Sequence, residues 1–132
     1  MIVKHFTKIL YITGFITMLP LLQFFLPWWV LGATGLSIRD ITGIFFVRHW
    51  GLMAFCIGAL LVYSAIHPQL RRGVVIAAAI EKMGLVVMIA LTWNDPVLSV
   101  LRPVAVIDGL FVWMYAIYLI SGASSRDFAR RD

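Results

Sequence analysis

The fold is decided by residues 73–93, which read GVVIAAAIEKMGLVVMIALTW. The stretch is apolar except for two adjacent charges, and it has the length of a helix that crosses the roughly 30 Å hydrocarbon core of a bilayer. The charges, Glu81 and Lys82, stand near its middle. An ionised side chain at mid-depth costs several kcal/mol, so we expect each one to be paired, hydrated or used.

On a helical wheel with about 100° per residue, Glu81 shares an arc of roughly 80° with Gly73, Ala77, Gly84 and Met88. We call this arc the Glu81 face. Small residues let neighbouring backbones approach closely in a membrane, so the Glu81 face is predicted to point into the protein. Lys82 lies about 100° away and needs its own partner, because adjacent helix positions do not face each other.

The composition is that of a membrane protein. Of 132 residues, 62% are hydrophobic and 13% are charged, with a mean hydropathy of +0.97, which excludes an ordinary soluble domain and a disordered chain. We predict an all-α, integral membrane four-helix bundle in one domain, residues 1–132, with spans at about 9–27, 45–66, 73–93 and 103–121. The second span carries a small-residue face of its own, predicted to allow close helix contact and made of Gly51, Ala54, Gly58 and Ala65.

The basic residues cluster at the ends of these spans, which is typical of topology signals and not of a nucleic-acid surface. Seven lie on the side of the termini and three on the other side, so both termini are predicted to be cytoplasmic in a multi-pass protein of the cytoplasmic (inner) membrane. The seven are Lys4, Lys8, Arg71, Arg72, Arg126, Arg130 and Arg131, and the three are Arg39, Arg48 and Arg102.

Arg48 and Asp108 form the first candidate polar constellation. Each is expected roughly 7 Å below the outer interface, on neighbouring spans. They are predicted to form an interhelical ion pair that fixes the helix register, and the alternative is a site for an anionic headgroup or a quinone-like ligand.

Glu81 and Lys82 form the second candidate polar constellation. Glu81 is interpreted either as a neutral acid hydrogen-bonded inside the bundle or as a proton or cation relay. Lys82 is harder to accommodate in one chain: its stem can snorkel towards an interface or towards Asp108, another protein can supply a partner, or the amine can be locally neutral.

No cofactor or metal site and no complete catalytic set is predicted. His49 and His67 stand at opposite ends of one span and His5 in the N-terminal segment, so they do not offer paired haem ligands. The single cysteine, Cys56, lies inside a span and is expected to be a buried structural thiol.

Three short segments resemble the small four-span proteins known as DoxX-like membrane proteins: Arg48-His49-Trp50-Gly51, residues 58–61 (GALL) and Ile80-Glu81-Lys82. The resemblance implies a four-helix bundle in the bacterial cytoplasmic membrane, where some members of the family are described as partners of redox enzymes. The resemblance does not assign catalytic residues in this chain.

The leading functional hypothesis is a non-catalytic accessory or scaffolding subunit of a larger membrane complex. It rests on the two small-residue faces, on Lys82 and on the lack of a catalytic set, and its partners are membrane lipids and either other membrane subunits or a second copy. The alternative is a small proton-coupled transporter that works as a dimer through Glu81. An enzyme acting on a lipid or quinone comes third, and it requires Arg48, His49 and Asp108 to converge.

Overall fold

The computed structural model describes residues 5–121, and all regular structure within them is helical. Four stretches are long and apolar enough to cross a membrane: Phe6–Phe25, Ile41–Ile66, Pro68–Leu91 and Leu98–Ile120. The protein is therefore an all-α, integral membrane four-helix bundle, and the predicted fold class is confirmed. The helices are α1 (Phe6–Met18), α2 (Leu21–Phe25), α3 (Pro27–Thr34), α4 (Ile41–Ile66), α5 (Pro68–Leu91) and α6 (Arg102–Ile120), and a short 3-10 helix, Leu98–Leu101, precedes α6.

Local sequence explains where these helices begin and end. Pro20 has no backbone N–H to donate, so the first span is interrupted there and continues as α2. Pro27 and Pro68 each stand in the first turn of a helix, where a missing donor has no cost. Gly35 ends α3 with a φ of 72°, and the Asp40 carboxylate caps α4 by accepting from the Gly43 N–H at 2.6 Å.

The first span packs on α4 through glycines. A Cβ on Gly58 would lie 2.7 Å from the Gly14 carbonyl oxygen, and one on Gly51 would collide with the Pro20 carbonyl oxygen. Gly51, Ala54 and Gly58 are all buried. The small-residue face predicted for the second span is therefore a close helix contact within this chain.

An apolar core lies at the end of the bundle where α1 begins, α4 turns into α5 and α6 ends, which we call the terminal end. There the Phe6 ring stacks on Tyr118 with 3.7 Å between centroids, and the Tyr115 hydroxyl donates to Thr13 Oγ1 at 2.7 Å. Both contacts join α1 to α6 and close the bundle. The buried core residues are Phe6, Leu10, Leu61, Ala65, Val75, Ala78, Phe111, Tyr115 and Tyr118.

Arg71 fastens the turn between α4 and α5. Its guanidinium donates to the carbonyl oxygens of Ser64 at 2.9 Å and Ala65 at 2.6 Å, and to Thr7 Oγ1 at 3.1 Å. These bonds satisfy carbonyls at the end of α4 that have no partner within the helix. The third span therefore begins with α5 at Pro68 and not at the predicted residue 73, and Arg71 lies in the first turns of this helix.

Candidate functional site

Two charged side chains meet in the interior between α5 and α6. Lys82 Nζ donates to Asp108 Oδ1 at 2.9 Å, and the two residues are only 3% and 7% exposed. Lys82 belongs to the inward stripe of α5, together with Val75, Ala78 and Ile89. The pair is an interhelical ion pair inside the protein, at a distance typical of a charge-assisted hydrogen bond.

The predicted Arg48–Asp108 pair is wrong, because Lys82 is the partner of Asp108. α6 packs mainly on α5, whereas Arg48 lies on α4 near α3 and its side chain is exposed. The hypothesis that Lys82 requires a partner from another protein loses its basis for the same reason. The snorkelling alternative named the right carboxylate.

A matched depth was the signal that could have identified the pair. Lys82 stands about 21 Å from the start of α5 at Pro68, and Asp108 about 18 Å from the end of α6 at Ile120, and both helix ends belong to the terminal end. Starting the third span at residue 73 placed Lys82 only about 14 Å from that end. With the third span starting at residue 73, the depths of Lys82 and Asp108 do not match.

The aromatic ring of Phe111 forms another wall of the lysine site. The ring centroid lies 5.5 Å from Lys82 Nζ, and Phe111 is 7% exposed. Phe111 and Asp108 are three residues apart on α6 and therefore share one face of the helix. α6 thus offers the ammonium group both a carboxylate and the negative face of an aromatic ring.

Glu81 lies at the edge of this pair. Its Oε2 is 4.0 Å from Lys82 Nζ and buried, yet it accepts no hydrogen bond from the described residues. The Glu81 side chain as a whole is 29% exposed. The Lys82 cluster, as we call Glu81, Lys82 and Asp108, therefore contains two carboxyl groups and one ammonium group.

The Glu81 face does not point into this chain, which corrects the prediction. Gly73, Ala77 and Gly84 are exposed, Met88 is 61% exposed, and a Cβ added at Gly73 or Gly84 would meet nothing within 4 Å. Lipid tails are as apolar as a protein core, so small and apolar residues fit either side of a membrane helix. The buried ion pair sets the rotation of α5 instead.

The charge balance of the Lys82 cluster limits its chemistry. With all three groups ionised the cluster carries one negative charge, and it becomes neutral when it gains one proton or one external cation. The side chain that remains reachable from outside the bundle is Glu81, because Lys82 and Asp108 are buried. The cluster can therefore hold a proton or accept a hydrogen bond from a group outside the chain.

The polar residues of the opposite end of the bundle, where α3 lies and α4 begins, do not join this cluster. Arg48 and His49 are exposed, and the His49 ring lies parallel to Phe45 with 6.2 Å between centroids. Asp108 is buried against Lys82, so the three residues required by the enzyme hypothesis do not converge. Cys56 is exposed on the surface of α4, which corrects the prediction of a buried thiol.

The fold and the cluster define this protein as a four-helix integral membrane protein with a buried lysine–aspartate ion pair. No protein-family model, characterised protein or solved structure matches the chain. The resemblance to DoxX-like membrane proteins therefore stays a prediction.

Proposed function

We propose that this protein is a non-catalytic accessory or scaffolding subunit that binds another membrane protein through the Glu81 face. One observation carries the proposal: within the described chain no helix covers this face, although it combines small residues with Glu81, whose side chain is 29% exposed and whose buried Oε2 accepts no hydrogen bond. A carboxyl group at bilayer depth gains free energy from any donor that reaches it.

The two small-residue faces of the chain differ in what their glycines contact. On α4 the glycines allow two helices to pack closely, because Gly58 contacts the backbone of Gly14. On α5, Gly73 and Gly84 stand in open space. Gly is a poor helix former relative to Ala, by about 1 kcal/mol, and lipid offers no contact that requires its small size. A neighbouring helix does offer such a contact.

The charge of the face selects the kind of partner. A second copy of this chain would bring one Glu81 carboxyl group against another, and its Lys82 is already bonded to Asp108. A different protein whose helix presents a lysine, arginine or amide donor at mid-depth complements the face. The proposed partner is therefore a different integral membrane protein.

The proposed setting is the bacterial inner membrane with both termini in the cytoplasm. The asymmetry of Lys and Arg supports this orientation, with seven on the terminal side and three on the other. Among the described residues, Arg71 stands at the terminal end and Arg48 at the opposite end.

The test is extraction from the native membrane, at native expression level and in a mild detergent, followed by measurement of the size and subunit masses of the particle. We expect a larger complex that contains a second membrane protein in fixed ratio. Gly84→Ile adds a branched side chain to the face and should release that protein. Gly32→Ile makes the same change at another helical glycine with open space around it and should not. A particle that contains only this chain would contradict the proposal.

A second candidate function is proton-coupled transport by a dimer. The specific observation in its favour is the Lys82 cluster itself, because Glu81 can exchange a proton beside a fixed ion pair. Glu81→Gln keeps the shape and removes the proton exchange. Loss of pH-dependent transport in a variant that still assembles would favour the carrier, and unchanged transport would exclude Glu81 as the coupling acid.

A further inference from the structure

A cleft opens at the opposite end of the bundle, between α3 and the first turns of α4. It has a volume of about 360 Å³ and is lined by Trp28, Arg39, Ile41, Ile44 and Arg48. This volume falls within the roughly 300–1,000 Å³ typical of small-molecule sites. Two of the five lining residues are arginines, and none of them carries a carboxylate.

The local backbone explains why the two arginines share this cleft. Gly35 lets the chain reverse after α3, and Asp40 then fixes the start of α4. Arg39 immediately precedes that cap, and Arg48 lies two helical turns beyond Ile41 on the same face of α4. Asp40 is the acidic residue nearest in sequence. Its carboxylate accepts from the Gly43 N–H at 2.6 Å, and Asp40 is not among the residues that line the cleft.

The cleft lies at the depth of lipid headgroups. Arg71 binds the Ser64 carbonyl at the terminal end of α4, and because arginine is excluded from the hydrocarbon core we take this point as one membrane boundary. About 20 residues back along α4, the length of the hydrocarbon core, the other boundary falls near Phe45. Arg48 begins about one turn below that boundary and its guanidinium can extend to it, while Arg39 stands above it.

We propose that this cleft binds the phosphate group of an anionic phospholipid. Arginine presents parallel N–H donors that match phosphate oxygens, and two arginines in one cleft can hold a phosphate from two sides. Trp28 and Ile41 are 58% and 88% exposed and offer an apolar surface for the glycerol and the first acyl carbons. A zwitterionic headgroup fits less well, because its own cation would stand beside the two guanidinium groups.

The test uses the full chain in detergent, with native mass spectrometry to count retained lipids. The probes are phosphatidylglycerol and phosphatidylcholine with identical acyl chains, and inorganic phosphate in a separate arm. We expect one phosphatidylglycerol per chain to be retained in preference to phosphatidylcholine. Arg39→Gln and Arg48→Gln should each weaken that binding about tenfold, the loss expected for a charged hydrogen bond.

Arg102→Gln is the control, because it removes one positive charge from the same end of the bundle but outside the cleft. Its guanidinium donates to the Trp93 carbonyl at 2.6 Å. The thermal unfolding midpoint of each variant is measured alongside, so that a misfolded protein is recognised. An equal loss in all three variants, or none in the cleft variants, would overturn the proposal. Retention of phosphate without retention of lipid would overturn the lipid as its source.

Discussion

Removal of the Asp108 carboxylate should cost this protein about 3 kcal/mol of folding free energy, a typical loss when one partner of a buried ion pair is deleted. Lys82 is 3% exposed, and in Asp108→Ala its ammonium group loses an oxygen at 2.9 Å. At an effective dielectric constant of about 20 that attraction is of order 6 kcal/mol, opposed by desolvation. Glu81 Oε2 remains 4.0 Å away, and at the same dielectric constant it supplies of order 4 kcal/mol.

The same arithmetic predicts how Glu81 changes the result. In a Glu81→Gln background the ammonium group has no second carboxylate, so Asp108→Ala should cost nearer to 5 kcal/mol. In the same Glu81→Gln background, replacing both members of the pair, as Lys82→Met with Asp108→Leu, should return the stability to within about 1 kcal/mol of that of Glu81→Gln alone, because an apolar pair needs no desolvation.

The assay is reversible unfolding in mixed micelles, driven by an anionic detergent and followed by circular dichroism. Arg72→Ala, a change at an exposed residue of α5, is the control and should leave the free energy of unfolding almost unchanged. If Lys82→Met and Asp108→Leu, each made alone, lose little stability and their effects simply add in the double variant, Lys82 and Asp108 are not coupled. The reasoning about the cluster would then be refuted.

Three further outcomes are expected. Gly58→Ala places a methyl group 2.7 Å from the Gly14 carbonyl and should cost about 1–3 kcal/mol in the same unfolding assay, whereas Gly32→Ala, with nothing within 4 Å, should cost nothing. Tyr115→Phe removes the hydrogen bond to Thr13 Oγ1 and should cost about 1 kcal/mol; an unchanged free energy of unfolding would mean that this bond does not stabilise the bundle. A cysteine introduced as Ser124→Cys should resist a membrane-impermeant thiol reagent in intact cells and react once the cells are opened; labelling from outside would reverse the orientation.

The sequence was sufficient for the class of fold because length and apolarity alone determine a membrane span. It was also sufficient for the packed face of α4. There Gly51 and Gly58 lie on the surface that meets the first span, and the close approach of two backbones excludes larger residues.

The same pattern misled on α5, where Gly73 and Gly84 face outward. In water the polar face of a helix identifies its exposed side, but in lipid both sides are apolar and this distinction is lost. The charged residue that does settle the rotation is Lys82, and its partner depends on which helices are neighbours. The predicted pair of Arg48 with Asp108 is wrong because the sequence alone does not indicate which helices are neighbours. In the structure α6 packs on α5.

Cross-linking in the membrane tests the central claim most directly. A photoreactive benzophenone amino acid is introduced in place of Ala77, on the Glu81 face, and separately in place of Leu60, which is 46% exposed on α4. After irradiation of intact cells, we predict that the Ala77 position yields one discrete adduct with a different membrane protein and that the Leu60 position yields none. Adducts with lipid alone at both positions, or an adduct with a second copy of this chain, would contradict the account.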